Sequence, residues 1–208
     1  MNMKRKQRNS VLYLTQLALL VAVEIVMKMI GLGSVPVGPL YMSFLTVPIA
    51  IGAIILGPMA GMILGSVFGF VSFLDAIKGA SIMTSNLLAV SPVHTFVLCF
   101  GMRVLMGLCV GWLYLLMEKL CKIRTVNCFA ASLSAPLLNT LFFMGYIVLV
   151  FYQTEYIQSL VAGTGAANPI MFVVLLVGVQ GIVEAVVCSV AGTAVATGLL
   201  KALRRMAR

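Results

Sequence analysis

Long apolar runs, separated by short polar or Gly-Pro breaks, make up most of the 208-residue chain. A helix that crosses the roughly 30 Å hydrocarbon core of a bilayer needs roughly 20 mostly apolar residues. Gly57-Pro58 separates two of the runs, because proline is tolerated at the start of a helix but not in its interior. The pattern predicts an all-α integral membrane protein, a single membrane domain over residues 1–208. Its six transmembrane helices are predicted at residues 11–30, 41–56, 59–73, 92–117, 126–152 and 169–200.

The composition agrees with a membrane protein, since 62% of the residues are hydrophobic and 9% are charged. A soluble domain of this size needs far more polar residues to cover its surface. The net charge of +9 does not indicate a nucleic-acid partner, because most basic residues lie at the chain ends or between apolar runs. They form three clusters: Lys4, Arg5, Lys6 and Arg8; Lys119, Lys122 and Arg124; Lys201, Arg204, Arg205 and Arg208.

These clusters predict the orientation of the chain in the bilayer. With six spans, both termini and the links after the second and fourth helices share the side that carries all three clusters. The opposite side has connections at residues 31–40, 74–91 and 153–168, which hold one cation, Lys78. The positive-inside rule therefore places both termini in the cytoplasm, at the cell (plasma) membrane. A ligand from outside would first meet the three longer connections.

A few polar residues lie deep within the apolar runs. Arg103 is eleven residues beyond Pro92, roughly 16 Å into the fourth helix, and Glu184 is fifteen residues beyond Pro169, roughly 22 Å into the sixth. Gln180 lies one turn from Glu184 on the same face. Asn139 shares a stripe of the fifth helix with Tyr146. An ionisable group at such depth is costly unless it is paired or hydrated, so it indicates a functional site.

Two interpretations of the deep residues carry equal weight. Arg103 and Glu184 could form a salt bridge that locks the fourth helix to the sixth. Alternatively, Arg103 could bind a ligand carboxylate through its planar guanidinium group, and such a ligand could displace Glu184.

Other polar positions give weaker signals. His94, the single histidine, lies near the outer end of the fourth helix, and Asn86 lies in the polar stretch before it. Each could contact a ligand or be structural. No metal site is expected, because Asp75 is a poor candidate to complete one with His94. The sequence has no nucleotide-binding or hydrolase motif, so we expect no enzyme and no cofactor.

Small residues mark helix faces that could pack closely in lipid. Ala18 and Ala22 form such a stripe on the first helix. Glu24 and Lys28 project from its other side, about 200° away. A charged pair costs least when it faces the bundle interior, so the stripe is expected to face outward. Packing of the stripe on another helix of the same chain is at least as plausible from spacing alone.

The overall pattern resembles the substrate-binding (S) components of energy-coupling-factor (ECF) vitamin transporters. The features in common are six helices with both ends inside, the A-x-x-x-A stripe and the absence of an ATP site. The strongest local match is GPLYMSFLTVPIAIGAIILGPMAGMILGSVFG, residues 38–69. The resemblance extends over essentially the whole chain.

The resemblance implies a vitamin-binding protein that does not transport alone. It implies docking through Ala18 and Ala22 onto a transmembrane coupling subunit that two cytoplasmic ATPases drive. The ligand is expected in the outer half of the bundle, under the first, third and fifth connections. The lipid bilayer and the vitamin are then the remaining partners.

Local sequence within the family looks most like the pantothenate-specific branch. The segments are GMRVLMG around Arg103, LLNTLFF around Asn139 and IVEAVV around Glu184. Pantothenate is a small anion with amide and hydroxyl groups, which suits Arg103 together with Asn139, Gln180 and Tyr146. The alternatives are an S component for folate or riboflavin, and a small ion-coupled secondary transporter that uses Arg103 and Glu184.

Overall fold

A computed structural model describes residues 2–33, 35–37 and 40–206 of the chain. Arg208, one of the predicted cytoplasmic anchors, and Gly38, the first residue of the matched stretch, lie outside the described residues. The described chain is almost entirely helical. Its elements are α1 (Asn2–Met29), β1 (Val35–Val37), β2 (Leu40–Met42), α2 (Thr46–Leu56), α3 (Pro58–Ile77), α4 (Ile82–Val90), α5 (Pro92–Phe96), α6 (Met102–Leu120), α7 (Arg124–Tyr146), α8 (Glu155–Thr164) and α9 (Pro169–Met206).

Five segments of the described chain are long and apolar enough to cross a membrane. They are Ser10–Met29, Pro58–Ile77, Pro92–Leu120, Arg124–Phe151 and Gln180–Leu203. A sixth would be a broken span, in which α8 and the first part of α9 meet at an angle of 72°. The protein is therefore a helical multi-pass membrane protein, with five or six spans among the described residues.

The predicted second helix needs correction. In place of a helix over residues 41–56, the chain forms strand β2 and then α2, which has 11 residues. At a rise of 1.5 Å per residue, α2 is roughly 16 Å long and reaches only about halfway across a bilayer. Strands β1 and β2 pair antiparallel, with Val37 opposite Leu40. A continuous apolar run does not by itself distinguish a strand from a buried helix, which explains the difference.

Two connections predicted as loops contain helices. Helix α4 lies within residues 74–91, and α8 lies within residues 153–168. Gly165 ends α8 with a φ of 66°, the left-handed conformation that favours glycine at a helix C-terminus. Helix α9 is broken at Gly178, where φ is 36° and ψ is −129°. Single π-helical turns, at Val97–Gly101 and Ile147–Phe151, join α5 to α6 and extend α7.

Helices α3 and α6 cross at backbone contact distance because glycine lines both sides of the interface. A Cβ atom at Gly61 would collide with the Gly107 carbonyl oxygen, and one at Gly65 would collide with the Arg103 carbonyl oxygen. A Cβ at Gly111 would collide with Pro58. These glycines thus bring α6, and Arg103 with it, against α3 by intramolecular packing.

The buried apolar residues form two separate clusters. The bundle core joins α1, α2, α3, α6, α7 and α9 through Leu17, Leu45, Ile49, Phe68, Met106, Ala131 and Ala196, among others. The cap core joins α4, α7, α8 and the first part of α9 through Met83, Leu87, Leu98, Met144, Ile147, Phe151, Ile157, Val161 and Phe172. The candidate site lies between these two clusters.

Candidate functional site

A cavity of about 230 Å³ lies between the bundle core and the cap core. Leu45 and Phe68 contribute its wall on the bundle side, and Met83 and Met144 contribute its wall on the cap side. Its volume is just below the roughly 300–1,000 Å³ typical of ligand pockets. The polar residues of the lining are Lys28, Ser43, Ser72, Asp75, Ser81, Thr84, Arg103, Asn139, Thr140, Gln180 and Glu184.

Arg103 is the buried cation of this cavity, and 8% of its surface is exposed. The π-helical turn before α6 presents the Cys99 carbonyl oxygen, which accepts a hydrogen bond of 3.1 Å from Nη1 of Arg103. The guanidinium carbon lies 4.3 Å from the ring centroid of Phe68 and 4.9 Å from that of Phe143. The aromatic faces stabilise the cation and fix its plane without satisfying its donors.

Glu184 faces the same cavity but does not pair with Arg103. No carboxylate lies within 4.0 Å of the Arg103 guanidinium among the described residues. Instead, Glu184 accepts a hydrogen bond from the backbone N–H of Ser43, just before α2. Its Oε1 and the Nε of Arg103 are buried, and neither has a hydrogen-bond partner in the described part of the chain. The Arg103–Glu184 salt bridge, one of the two interpretations from the sequence, is thus not seen among the described residues, and both groups have unused hydrogen-bonding capacity at the cavity.

Neutral polar groups complete the lining. Asn139 and Thr140 reach the cavity from α7, and Gln180 reaches it from α9 one turn before Glu184. The break at Gly178 lies two residues before Gln180, so the second part of α9 begins at the cavity. A helix interrupted at this depth leaves backbone groups without intrahelical partners, which membrane proteins tolerate where the chain lines a cavity.

The sequence did not identify a second pair of charges in the lining. Lys28, at the end of α1, forms an ion pair with Asp75, near the end of α3. Both side chains are partly exposed, at 24% and 18%. The deep position of Arg103 was a strong signal, whereas Lys28 and Asp75 lie near helix ends, where a charge is unremarkable. Only the packing of α1 against α3 brings them together at the cavity.

Residues 12–195 match the family described as ECF transporter, substrate-specific component. The chain belongs to this family. The protein is therefore an S component, a transport protein whose family relies on ATP hydrolysis in partner subunits. A comparison with curated protein sequences finds no match.

Three residues predicted to bind substrate do not line the cavity of the S component. His94 is exposed, and its Nδ1 forms a hydrogen bond of 2.9 Å with the hydroxyl group of Tyr146, which is half-buried against the cap core. Asn86 is exposed, and its Nδ2 donates to the Ile82 carbonyl oxygen at 2.8 Å. Tyr146 is the last residue of α7, directly before the π-helical turn, and its hydroxyl group faces His94. The structure thus places these three residues away from this cavity, and a role for them in substrate binding stays a prediction.

The small-residue stripe of α1 has the orientation that the sequence predicts. Ala18 and Ala22 are exposed on the S component, while Glu24 on the other side of the helix is buried. Leu17 and Leu20 pack on the bundle core from that same inner side. An exposed strip of small side chains leaves room for a partner helix to approach α1 closely.

Proposed function

We propose that this S component captures pantothenate from outside the cell and delivers it through an ATP-driven coupling module. The support is the unpaired Arg103 in the cavity, together with the local sequence around Arg103, Asn139 and Glu184. In this proposal the orientation is the one expected from the basic clusters. Both termini face the cytoplasm and the cap core faces outward.

The observation that carries this proposal is the state of Arg103. The guanidinium group is buried, and its Nε has no hydrogen-bond partner among the described residues. No carboxylate lies within ion-pair distance of it in that part of the chain, so its hydrogen-bonding capacity is only partly used. A carboxylate supplied by a ligand would satisfy it through a charge-assisted, bidentate hydrogen-bond pair. The Lys28 and Asp75 charges offset each other, so Arg103 and Glu184 are the other ionisable side chains among the lining residues.

The remainder of the lining suits a small, hydroxylated and amide-containing acid. Asn139, Thr140 and Gln180 offer both donors and acceptors, while Met144 and Val177 offer apolar surface. A volume of about 230 Å³ favours a compact ligand over the larger, ring-containing folate or riboflavin. In this proposal Glu184 Oε1, which has no partner among the described residues, accepts a hydrogen bond from a hydroxyl or amide group of the ligand.

Delivery is assigned to partner subunits. In this proposal the exposed Ala18 and Ala22 stripe docks on a transmembrane coupling subunit, which two cytoplasmic ATPases drive. Purified S component is then expected to bind pantothenate tightly without ATP, and uptake is expected to need the coupling module. Gradient-driven uptake by the S component alone in proteoliposomes would contradict the proposal and favour a secondary transporter.

The identity of the ligand is tested by mass spectrometry of small molecules that remain bound through purification. Calorimetry with pantothenate, folate and riboflavin then ranks the candidates. We expect pantothenate to be retained and to bind most tightly. Retention of folate or riboflavin would refute the pantothenate assignment while leaving the family assignment intact.

The role of Arg103 is tested by Arg103→Ala, with Arg124→Ala as the matched control. Removal of one partner from a buried charged pair costs about 2–5 kcal/mol, which corresponds to roughly 30-fold to 4,000-fold in affinity. Arg124 is exposed at the start of α7, away from the cavity, so its loss should leave affinity unchanged. If Arg103→Ala prevents folding, Arg103→Ala combined with Glu184→Gln removes the stranded carboxylate. Unchanged affinity in a folded variant would refute the role.

A further inference from the structure

Glu24 is a buried acid that the proposed transport function does not use. It lies on α1 within the membrane-spanning segment Ser10–Met29, and only 2% of its surface is exposed. Both carboxyl oxygens are buried, and neither has a hydrogen-bond partner within the described residues. Glu24 is not part of the cavity lining. It therefore differs from Glu184, which faces the cavity and accepts a hydrogen bond from Ser43.

The surroundings of Glu24 offer little compensation for a negative charge. Helices α2 and α3 pack against α1. Helix α2 has no ionisable side chain, and α3 has one, Asp75, which is itself acidic. Within the described part of α1, the nearest charged group is Lys28, one turn away. Arg103 and Glu184 lie at the cavity that Lys28 also lines. A buried carboxylate without partners costs several kcal/mol, so Glu24 holds its proton in this arrangement.

Lys28 has two acids that it can reach. It follows Glu24 at the i+4 position, with the acid on the N-terminal side, which is the favourable order for an ion pair on a helix. In the structure Lys28 instead pairs with Asp75 and so joins the end of α1 to the end of α3. Both partners of this pair line the cavity. Whether Lys28 pairs with Asp75 or with Glu24 thus determines whether α1 and α3 are joined at this wall of the cavity.

We propose that Glu24 is a proton-binding site that controls the contact between α1 and α3. With Glu24 protonated, Lys28 pairs with Asp75 and the two helices are joined at the cavity. When Glu24 ionises, its O–H bond breaks and the proton passes to water that enters as α1 moves away from α3. Lys28 then turns back to the Glu24 carboxylate, and Asp75 is released to solvent.

The weak attachment of α1 makes this exchange feasible. Only 11% of the spanning segment of α1 is buried inside the protein, compared with 39% for α3. A helix that buries so little surface can shift without breaking the bundle core. The docking stripe of Ala18 and Ala22 lies on the same helix, so a partner that binds there would also affect the exchange.

The experiment follows hydrogen exchange at the end of α1 by mass spectrometry, with the full chain in lipid nanodiscs. Wild type, Glu24→Gln and Glu24→Met are compared at each pH from about pH 5 to about pH 9, the range in which buried carboxylic acids titrate. The two variants are permanently neutral at this position, and Met avoids burying a polar amide, so a folded neutral variant is expected. Glu155→Gln, at an exposed position on α8, is the matched control.

We expect wild type and the neutral variants to exchange alike at low pH. At high pH the end of α1 in wild type should exchange roughly tenfold faster than in the neutral variants, within the usual range for coupled sites. Glu155→Gln should follow wild type throughout, and Asp75→Asn should exchange fast at every pH. Identical profiles for wild type and the folded neutral variant would overturn the proposal. The measurement uses no ligand, so its failure would leave the pantothenate assignment untouched.

Discussion

Gly69 on α3 allows the π-helical turn before α6 to pack closely against α3. We predict that Gly69→Ala lowers both the stability of the protein and its affinity for the ligand. An added Cβ would lie 2.8 Å from the Phe100 Cα and 2.9 Å from the Cys99 carbonyl oxygen. That oxygen is the acceptor for Nη1 of Arg103. The substitution therefore acts on the hydrogen bond that orients the proposed ligand-binding cation.

The size of the effect follows from these distances. Carbon atoms in contact prefer a separation of about 3.5–4.0 Å, so α3 and the π-helical turn must separate by about 1 Å. Overpacking of this kind costs about 1–3 kcal/mol. For a chain of this length, 2 kcal/mol corresponds to a decrease in Tm of roughly 6 °C. Because Arg103 moves with the turn, we also expect ligand affinity to fall by roughly tenfold, which corresponds to about 1.4 kcal/mol.

Thermal unfolding and calorimetry with pantothenate measure the two effects in nanodiscs. Gly145→Ala is the matched control, since an added Cβ on that residue of α7 meets no atom within 4 Å. Alanine is the better helix former, so the control should be neutral or slightly stabilising. If Gly69→Ala retained the Tm and affinity of wild type, α3 would not approach the π-helical turn as closely as described. Gly69 would then not control the position of the Cys99 carbonyl oxygen that orients Arg103.

Two further predictions concern docking and the break in α9. Replacement of both Ala18 and Ala22 by Leu should abolish uptake in cells that express the coupling module. Calorimetry on the purified S component should show unchanged affinity for the ligand. Uptake at the wild-type rate would show that the stripe is not the docking face. Gly178→Ala should lower Tm and affinity, because alanine at a positive φ costs about 1–3 kcal/mol and the residues beside it line the cavity. Gly198→Ala is its control, with no atom within 4 Å of the added Cβ, and equal behaviour of the two variants would contradict the prediction.

Several site residues could be identified from the sequence because burial in a membrane makes polar residues conspicuous. Arg103, Asn139, Gln180 and Glu184 were selected for their depth in apolar runs, and all four line one cavity. A polar group at that depth must face a cavity or a partner, so its position along a helix is informative before any packing is known. His94 lacks this constraint, since it lies near a helix end where polar side chains cost little.

Local sequence could not decide the structure of the first connection and of the second helix. The stretch from Val35 to Leu56 is apolar almost throughout, and such a run suits a strand pair or a helix equally well. Residues at the start of α2 contact α9, which is distant along the chain. Examples are the contact of Thr46 with Cys188 at 3.1 Å and the hydrogen bond from Ser43 to Glu184.

The sequence by itself determined the membrane class, the positions of the long apolar helices and the deep polar groups. Each depends on a transfer energy or a helical period that acts within one segment. Only the tertiary structure decided which charges meet. Among the described residues it left Arg103 unpaired with Glu184, joined Lys28 to Asp75 and buried Glu24 without a hydrogen-bond partner. Pairing requires side chains on different helices to come within a few ångströms, and the glycine contacts that govern this approach have no signature in charge or hydropathy.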